Sequence, residues 1–318
     1  VQITWVEVGG KRVALPLPEG NYGSINISPN EDRLALTSYS ESSSDIWIWD
    51  IEQEIFSRLT FGGSAMVPIW SPDGLNIVYQ KSDTPYGLWI VPADGTSQPI
   101  EVLTTDRPVF PETMTDDGEI LFSTLGDRKL YSANIALNGT NGTSPEREQT
   151  LIDIGPNQVR SSRISPDGQW LLYTSNESGE FETFIRPWPD YNGGKWQASR
   201  LGGGQPLWDQ DNNRLYFWST SSGIQYSTEY EIVMDDRTSR ASFRFQSPEE
   251  IFAYNEPRNN RALPGWTFSK SRGKFLMIAQ GGIADRSVEE RVLDQQTILV
   301  SVENWLRELR TTSPQGEL

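Results

Sequence analysis

The chain has 318 residues, a formal net charge of −16, and neither cysteine nor histidine. This composition excludes disulfides, Ser-His-Asp and Cys-His catalytic centres, and metal sites that need thiolate or imidazole ligands. The acidic balance disfavours nucleic acid and anionic membranes as partners, and no apolar run approaches the roughly 20 residues that span a bilayer.

The predicted elements begin with two strands, within "ITWVEVGGKRVALPL" at 3–17. Because the first residues already have strand character, we expect that no signal peptide opens the chain. A turn between two apolar runs follows, in "NISPNEDRLALTS" at 26–38. The same pattern then recurs along the chain, most clearly as "IWSPDGLNIVYQ" at 69–80 and "RISPDGQWLLYT" at 163–174.

Six copies of this turn are spaced almost evenly. Successive copies lie 43, 44, 50, 44 and 60 residues apart, close to the period of about 40–50 residues that is typical of propeller blades. The sequence therefore predicts six repeats. The first turn residues are Ser28, Ser71, Thr115, Ser165, Asp209 and Ser269.

The composition of the turn is that of a tight connection between two strands. Proline at the second position fixes φ near −65°, and Asp or Asn at the third can accept hydrogen bonds from nearby backbone amides. Glycine at the fourth position readily adopts the positive φ at which the turn ends and the next strand begins. Ser-Pro-Asp-Gly thus predicts a structural hairpin and not a catalytic motif.

Each repeat also predicts four short strands. One strand leads into the turn and one follows it, as in "NIVYQ" at 76–80. A strand with alternating aromatics comes next, such as "DIWIWD" at 45–50, and a short last strand such as "FSRLTF" at 56–61. Four-stranded sheets repeated six times around an axis form a β-propeller. We therefore expect an all-β, six-bladed propeller that spans 1–318 as a single domain.

The two ends of the chain predict how the ring closes. The final repeat, from Gly265, shows its first two strands and then a charged loop, whereas 3–17 resembles the last two strands of a unit. The start of the chain is therefore expected to complete the last blade. "TILVSV" at 297–302 is predicted as an added or alternative strand, and "ENWLRELR" at 303–310 as a short C-terminal helix.

These repeats resemble the TolB-like six-bladed propellers, whose units carry the WD40-like PD40 repeat. The resemblance covers nearly the whole chain and is most specific in three segments. They are "LTFGGSAMVPIWSPDG" at 59–74, "RISPDGQWLLYTSNESGEFETFIRPWPD" at 163–190 and "KWQASRLGGGQPLW" at 195–208. Together they look like the propeller halves attached to bacterial serine/threonine kinases and some winged-helix regulators. The turns at 209–213 and 269–273 depart from the family pattern, because both have lost Pro-Asp-Gly.

The resemblance implies a non-catalytic module that binds or senses a protein or peptide, as part of a larger signalling or envelope protein. It favours a location outside the cytoplasm, and it implies no cofactor. We expect no insertion into a membrane and a monomeric chain. Since propellers host many activities, the function rests on the resemblance and not on the fold.

Arginines are the first candidates for a binding site. The segments that precede the innermost strands carry several of them, although the whole chain is acidic. Placed at the mouth of the channel, they would form a positive rim that accepts a carboxylate or an acidic partner segment by bidentate pairing. The alternative is that each pairs locally with the abundant acids. The candidates are Arg107, Arg160, Arg163, Arg258 and Arg261.

Aromatic and adaptable side chains in equivalent segments are the second group of candidates. Tyr22 and Trp266 are included in the predicted site, and Met66, Phe110 and Gln205 occupy similar positions. Core packing explains such aromatics equally well.

An enzyme is the alternative function, and it would have to use carboxylates. Paired Asp or Glu residues at the channel mouth could serve a glycosidase- or lactonase-like hydrolase, or a lyase. Asp209, Asp211 and Asn213 resemble the opening of a calcium loop, but glycine is missing from its sixth position and a drifted turn is the better interpretation. The carboxylate candidates near loops are Glu112, Glu177, Asp190 and Glu256.

Overall fold

The structure is a computed structural model that describes residues 1–134, 149–219, 221–235, 241–253 and 264–279. All of these residues belong to one compact unit, Val1–Gly281. Within them the chain forms six antiparallel sheets arranged as the blades of a propeller, with a single 3-10 turn at Gln210–Asn212. The predicted all-β, six-bladed fold is confirmed. Whether 1–318 forms one domain stays a prediction.

The strands follow the chain in blade order. The first two are β1 (Gln2–Val6) and β2 (Arg12–Ala14). Blade 1 is β3 (Asn21–Ile27), β4 (Arg33–Tyr39), β5 (Ser44–Asp50) and β6 (Ile55–Arg58); blade 2 is β7 (Ala65–Trp70), β8 (Asn76–Lys81), β9 (Tyr86–Pro92) and β10 (Ile100–Thr105). Blade 3 is β11 (Val109–Met114), β12 (Glu119–Thr124), β13 (Leu130–Asn134) and β14 (Thr150–Ile152).

Blade 4 is β15 (Val159–Ile164), β16 (Trp170–Ser175), β17 (Glu182–Pro187) and β18 (Trp196–Gln197). Blade 5 is β19 (Gly204–Asp209), β20 (Arg214–Trp218) and the long β21 (Ile224–Met234), which pairs with both β22 (Ala241–Phe245) and β23 (Glu249–Ala253). Blade 6 combines β24 (Trp266–Ser269) and β25 (Lys274–Ala279) with β1 and β2.

The ring closes in the way the sequence predicts. β1 lies antiparallel to β25, in a register that runs from Gln2 opposite Ala279 to Val6 opposite Phe275. The first strands of the chain therefore complete blade 6 as its third and fourth strands. The predicted strand at 297–302 and the helix at 303–310 lie outside the described residues. No helix in the described ranges has the length and apolar character to cross a membrane.

The hydrophobic core lies between the blades. Each of six clusters of buried apolar side chains joins two neighbouring blades, and the sixth joins blade 6 to blade 1 through Ile3, Ile25 and Leu276. Burial of apolar area is the main favourable term in folding, so each blade depends on both neighbours for most of its core.

The predicted turn chemistry is present in the turns of blades 2, 3 and 4, where a Ser or Thr hydroxyl donates to the Asp at the third position. In blade 2, Ser71 Oγ donates to Asp73 Oδ1 at 2.5 Å and accepts the Asn76 amide at 2.9 Å, and Gly74 adopts φ +70°. In blade 4, Ser165 and Gly168 repeat this arrangement, with φ +71° at the glycine. The turns satisfy their own polar groups, which confirms that they are structural.

Two drifted turns complement each other across the ring closure. The blade 1 turn has Glu31 where others have glycine, with φ 60°, and the blade 6 turn lacks an Asp. The Glu31 carboxylate fills this gap by accepting hydrogen bonds from Ser269 Oγ at 2.7 Å, the Lys270 amide at 2.7 Å and the Ser271 amide at 3.0 Å. Burial raises the pKa of Glu31, but these hydrogen bonds lower it more, so the carboxylate form is favoured.

The propeller has two faces, which we define by their loops. The turn face carries the turns between the first and second strands of the blades, including 71–74 and 165–168. The loop face carries the segments that lead into the innermost strands, such as 59–64 and 199–203, and the loops between second and third strands, such as 125–129.

Candidate functional site

A small pocket opens at the loop face between blades 3 and 4. Its volume is about 50 Å³. Because Val67 comes from blade 2 and Pro264 lies two residues before the innermost strand of blade 6, the pocket reaches across the central channel. The lining residues are Val67, Phe110, Pro111, Glu112, Ser123, Thr124, Leu125, Arg128, Val159, Arg160, Ser161 and Pro264.

Two arginines give this pocket its positive charge. Arg160 is the second residue of the innermost strand of blade 4, and its guanidinium carbon lies 3.6 Å from the centre of the Phe181 ring. Arg128 comes from the loop between β12 and β13, and its carbonyl oxygen accepts a hydrogen bond from the Val159 amide at 2.8 Å. Stacking on an aromatic face restrains the orientation of a guanidinium. Arg160 thereby places a positive charge at the wall of the pocket.

Glu112 is the buried carboxylate of the pocket, and it joins blades 3 and 4. It accepts hydrogen bonds from Ser123 Oγ at 2.6 Å and from the Ser162 amide at 3.2 Å. Burial raises the pKa of Glu112, while Arg163 and these donors oppose that rise. The carboxyl therefore titrates above its ordinary range.

The position of Glu112 follows from a bulge that recurs in the innermost strands. β3, β7, β11, β15 and β19 each shift register near their start, which leaves a backbone amide without a partner in its own sheet. In β7 a side chain of the preceding blade accepts this amide, since Thr37 accepts Val67 N at 3.1 Å, and just before β24 Gln205 of blade 5 accepts Gly265 N at 3.2 Å in a similar way. Glu112 has the same structural role toward blade 4.

Of the predicted arginines within the described residues, the structure brings Arg160 into the pocket. Arg107 lies in a neighbouring cleft, 3.1 Å from the carboxylate of Asp106 and 3.5 Å from that of Asp127. Arg163 is buried between blades, where it donates to the Glu112 carbonyl at 2.5 Å. For Arg107 and Arg163 the structure shows the local pairing that we considered as the alternative.

The remaining predicted arginines, Arg258 and Arg261, lie outside the described residues, as does Glu256. Arg128 was not predicted, because the search considered only the segments that precede the innermost strands. The loops between second and third strands reach the same face, so the four-stranded repeat itself could have pointed to Arg128.

The aromatic candidates divide between core and pocket. Tyr22 is buried between blades 6 and 1, with its hydroxyl donating to Pro18 O at 2.5 Å. Trp266 is buried between blades 5 and 6. We therefore leave both out of the candidate site. Phe110 lines the pocket, and Met66 is half-buried beside the pocket residue Val67.

The other carboxylate candidates lie elsewhere. Glu177 accepts a hydrogen bond from the Tyr173 hydroxyl at 3.2 Å and pairs with Lys195. Asp190 is exposed in the loop after β17. Asp209 accepts hydrogen bonds within its own turn, and no group of three or more acidic side chains in the described ranges has the arrangement of a metal site.

Comparison with known proteins supports the fold. No protein-family model matches the chain, and no curated protein matches it. Among solved structures, a putative TolB from Agrobacterium tumefaciens aligns with a TM-score of 0.55 at 15% identity, over 79% of this chain and 88% of that one. TolB from Acinetobacter baumannii also reaches 0.55, at 13% identity, over 79% of this chain and 66% of that one.

The structure of an enzyme is equally similar. The periplasmic gluconolactonase PpgL of Pseudomonas aeruginosa aligns with a TM-score of 0.55 at 12% identity, over 85% of this chain and 86% of that one. The chain therefore shares the fold of TolB structures and of a lactonase. At these identities the likeness shows the fold alone, and the function has to be argued from the site.

Proposed function

We propose that this chain is a non-catalytic propeller that binds a protein or peptide, and that it holds an acidic residue of this partner in the pocket at Arg128 and Arg160. The observation that carries the proposal is the convergence of two arginines in one pocket of a chain whose net charge is −16. A local positive site attracts carboxylate groups. The acidic surface around it repels other acidic surfaces, so binding is directed to this site.

The size of the pocket favours part of a longer ligand. Small-molecule sites enclose about 300–1,000 Å³, whereas this pocket has about 50 Å³. That volume holds a single carboxylate or a few water molecules. Most of the contact area of a ligand would therefore lie outside the pocket, on the surrounding loop face, as expected for a peptide or a protein loop.

One observation favours the alternative, a carboxylate-based hydrolase or lyase. The raised pKa of Glu112 is a property of general acids. Such an enzyme needs a second carboxylate or a bound metal beside the first. Glu177 and Asp190 have separate environments, and Glu112 makes the interblade hydrogen bond that other side chains make elsewhere. Binding is thus the better supported function.

The proposal can be tested by selecting random seven-residue peptides on the immobilised chain and measuring their affinities. We expect enrichment of Asp and Glu. The variants Arg160→Glu and Arg128→Glu should each weaken the selected peptides by roughly 10- to 100-fold, because each reverses a charge in contact with the ligand. Lys11→Glu, which makes the same charge change at an exposed position on the turn face, is the matched control.

Two results would contradict the proposal. One is a selection that enriches no acidic residue, and the other is equal binding to the wild type and to the Arg128→Glu, Arg160→Glu double variant. Turnover of a lactone or glycoside that is lost in Glu112→Gln would instead support the enzyme.

A further inference from the structure

Two loops on the loop face, half a ring apart, are held by the same arrangement of hydrogen bonds to a buried carboxylate. The loop at 59–64 leads from blade 1 into blade 2, and the loop at 199–203 leads from blade 4 into blade 5. In the first, Asp45 accepts hydrogen bonds from Thr60 Oγ1 at 2.8 Å and from the Gly63 amide at 3.2 Å. In the second, Glu182 accepts hydrogen bonds from Ser199 Oγ and from the Gly202 amide, the latter at 3.0 Å.

The match extends to the third strand of each blade. The hydroxyl that donates to the carboxylate also accepts a hydrogen bond from a backbone amide. The Ile46 amide donates to Thr60 Oγ1 at 2.9 Å, and the Thr183 amide donates to Ser199 Oγ at 2.8 Å. The carboxylates are only 4% exposed at Asp45 and 6% exposed at Glu182. Burying a carboxylate is costly unless its oxygens are fully hydrogen-bonded. In both blades the loop that leads into the next blade supplies these hydrogen bonds.

Both rigid loops present a large apolar side chain to solvent. Phe61 is 75% exposed and Leu201 is 50% exposed. The Phe61 ring lies under Arg58, whose guanidinium carbon is 4.9 Å from the ring centre and which also donates to Asp45 at 2.6 Å. An exposed apolar residue is ordinary on its own. Two of them, fixed by buried carboxylates at opposite sides of one mouth, indicate a surface organised for contact.

The Leu201 loop is also joined to the arginine pocket. The carbonyl of Phe181 accepts a hydrogen bond from the Gly203 amide at 2.8 Å, and the guanidinium of Arg160 stacks on the ring of Phe181. The Leu201 carbonyl accepts a hydrogen bond from Ser219 Oγ at 2.6 Å. Apolar and cationic contact points therefore lie next to one another on this side of the loop face.

We propose that Phe61 and Leu201 are preformed anchors for the partner of the propeller, and that the partner segment carries apolar residues on both sides of an acidic one. The inference rests on the proposed function and adds the character of the ligand to it. The positive pocket binds the acidic residue of the partner, and Phe61 and Leu201 contact its apolar residues. Rigid anchors reduce the conformational entropy that is lost on binding, which favours affinity.

The test uses the peptides selected on the wild-type chain. Phe61→Ser and Leu201→Ser are each expected to raise the dissociation constant by about 10-fold, as loss of one apolar anchor does. Leu75→Ser is the matched control: Leu75 is 64% exposed but lies on the turn face, and its change should leave affinity within about twofold. All three side chains are exposed, so the melting temperature of each variant should match that of the wild type.

The outcomes separate this inference from the proposed function. If Arg160→Glu weakens binding while Phe61→Ser and Leu201→Ser have no effect, Phe61 and Leu201 do not contact the partner and the proposed acid-binding site is retained. If none of these variants changes affinity, both fail. Self-association of the wild type in sedimentation, abolished by Phe61→Ser, would identify a second copy as the occupant and overturn the inference.

Discussion

The turn face and the loop face differ in how similar their polar groups are from blade to blade. On the turn face, Ser71 and Asp73 saturate the backbone of their own turn, and blade 4 repeats the arrangement almost atom for atom. On the loop face two loops share one arrangement, but the side chains that line the channel mouth differ between blades, since the pocket takes Arg128 from blade 3 and Arg160 from blade 4. What repeats between blades builds the fold, and what differs between them gives this chain a site of its own.

The largest expected effect is on the loop face. Asp45→Ala leaves Arg58, Thr60 and Gly63 without their shared acceptor and should destabilise the chain by about 2–4 kcal/mol. Asp116→Ala, at an exposed position, should cost less than about 0.5 kcal/mol. Urea unfolding followed by tryptophan fluorescence measures both. A loss below about 1 kcal/mol at Asp45 would show that the loop does not depend on its carboxylate.

The turn face is expected to be sensitive to acid at the ring closure. The pKa of Glu31 is lowered in the folded chain from an ordinary value of 4.5. Its contribution to stability is therefore present above that value and is lost as the pH falls through the folded pKa. Glu31→Gln should cost about 1–2 kcal/mol near neutral pH, because a charged acceptor of several hydrogen bonds becomes neutral.

This effect is checked by thermal melts over a pH series. The difference between wild type and Glu31→Gln should shrink as the pH is lowered below the ordinary carboxyl range. Glu41→Gln, an exposed change in the same blade, should show no such difference. A constant difference at all pH values would contradict a role for the Glu31 charge.

The smallest expected effect separates backbone strain from side-chain contact. Gly168 adopts φ +71° with open space around it, so Gly168→Ala should cost about 1 kcal/mol from conformation alone. Gly62 also has open space around it but lacks the positive φ, and Gly62→Ala should be close to neutral. Equal melting temperatures for the two variants would show that the turn tolerates a Cβ.

Much of the fold could be predicted from the sequence because the information is local. Each Ser-Pro-Asp-Gly turn forms its hydrogen bonds within five residues, and the blade period is visible along the chain. The closure of the ring by β1 could be predicted because the last repeat shows only two strands and the start of the chain resembles the missing two. By contrast, the contact of Glu31 with Ser269 joins residues at opposite ends of the described chain, and no local pattern marks it.

The candidate site was harder to predict for the same reason. Arg160 was found because it lies at the start of an innermost strand, but Arg128 shares the pocket only through the folding of another loop. Arg107 and Arg163 were predicted on the same grounds as Arg160, but Arg107 pairs with Asp106 and Arg163 packs against Glu112 between blades 3 and 4. Tyr22 became a core residue because its ring packs on Phe56, in a strand that the search for mouth residues did not consider.

The claim that the loop face holds an acidic partner segment is tested most directly by hydrogen exchange. The exchange of the chain would be compared with and without a saturating concentration of the tightest selected seven-residue peptide. We expect slower exchange at 107–112, 125–129 and 159–162, around the two arginines, and unchanged exchange in the turns at 71–75 and 165–168. Protection confined to those turns, with none around Arg128 and Arg160, would contradict it.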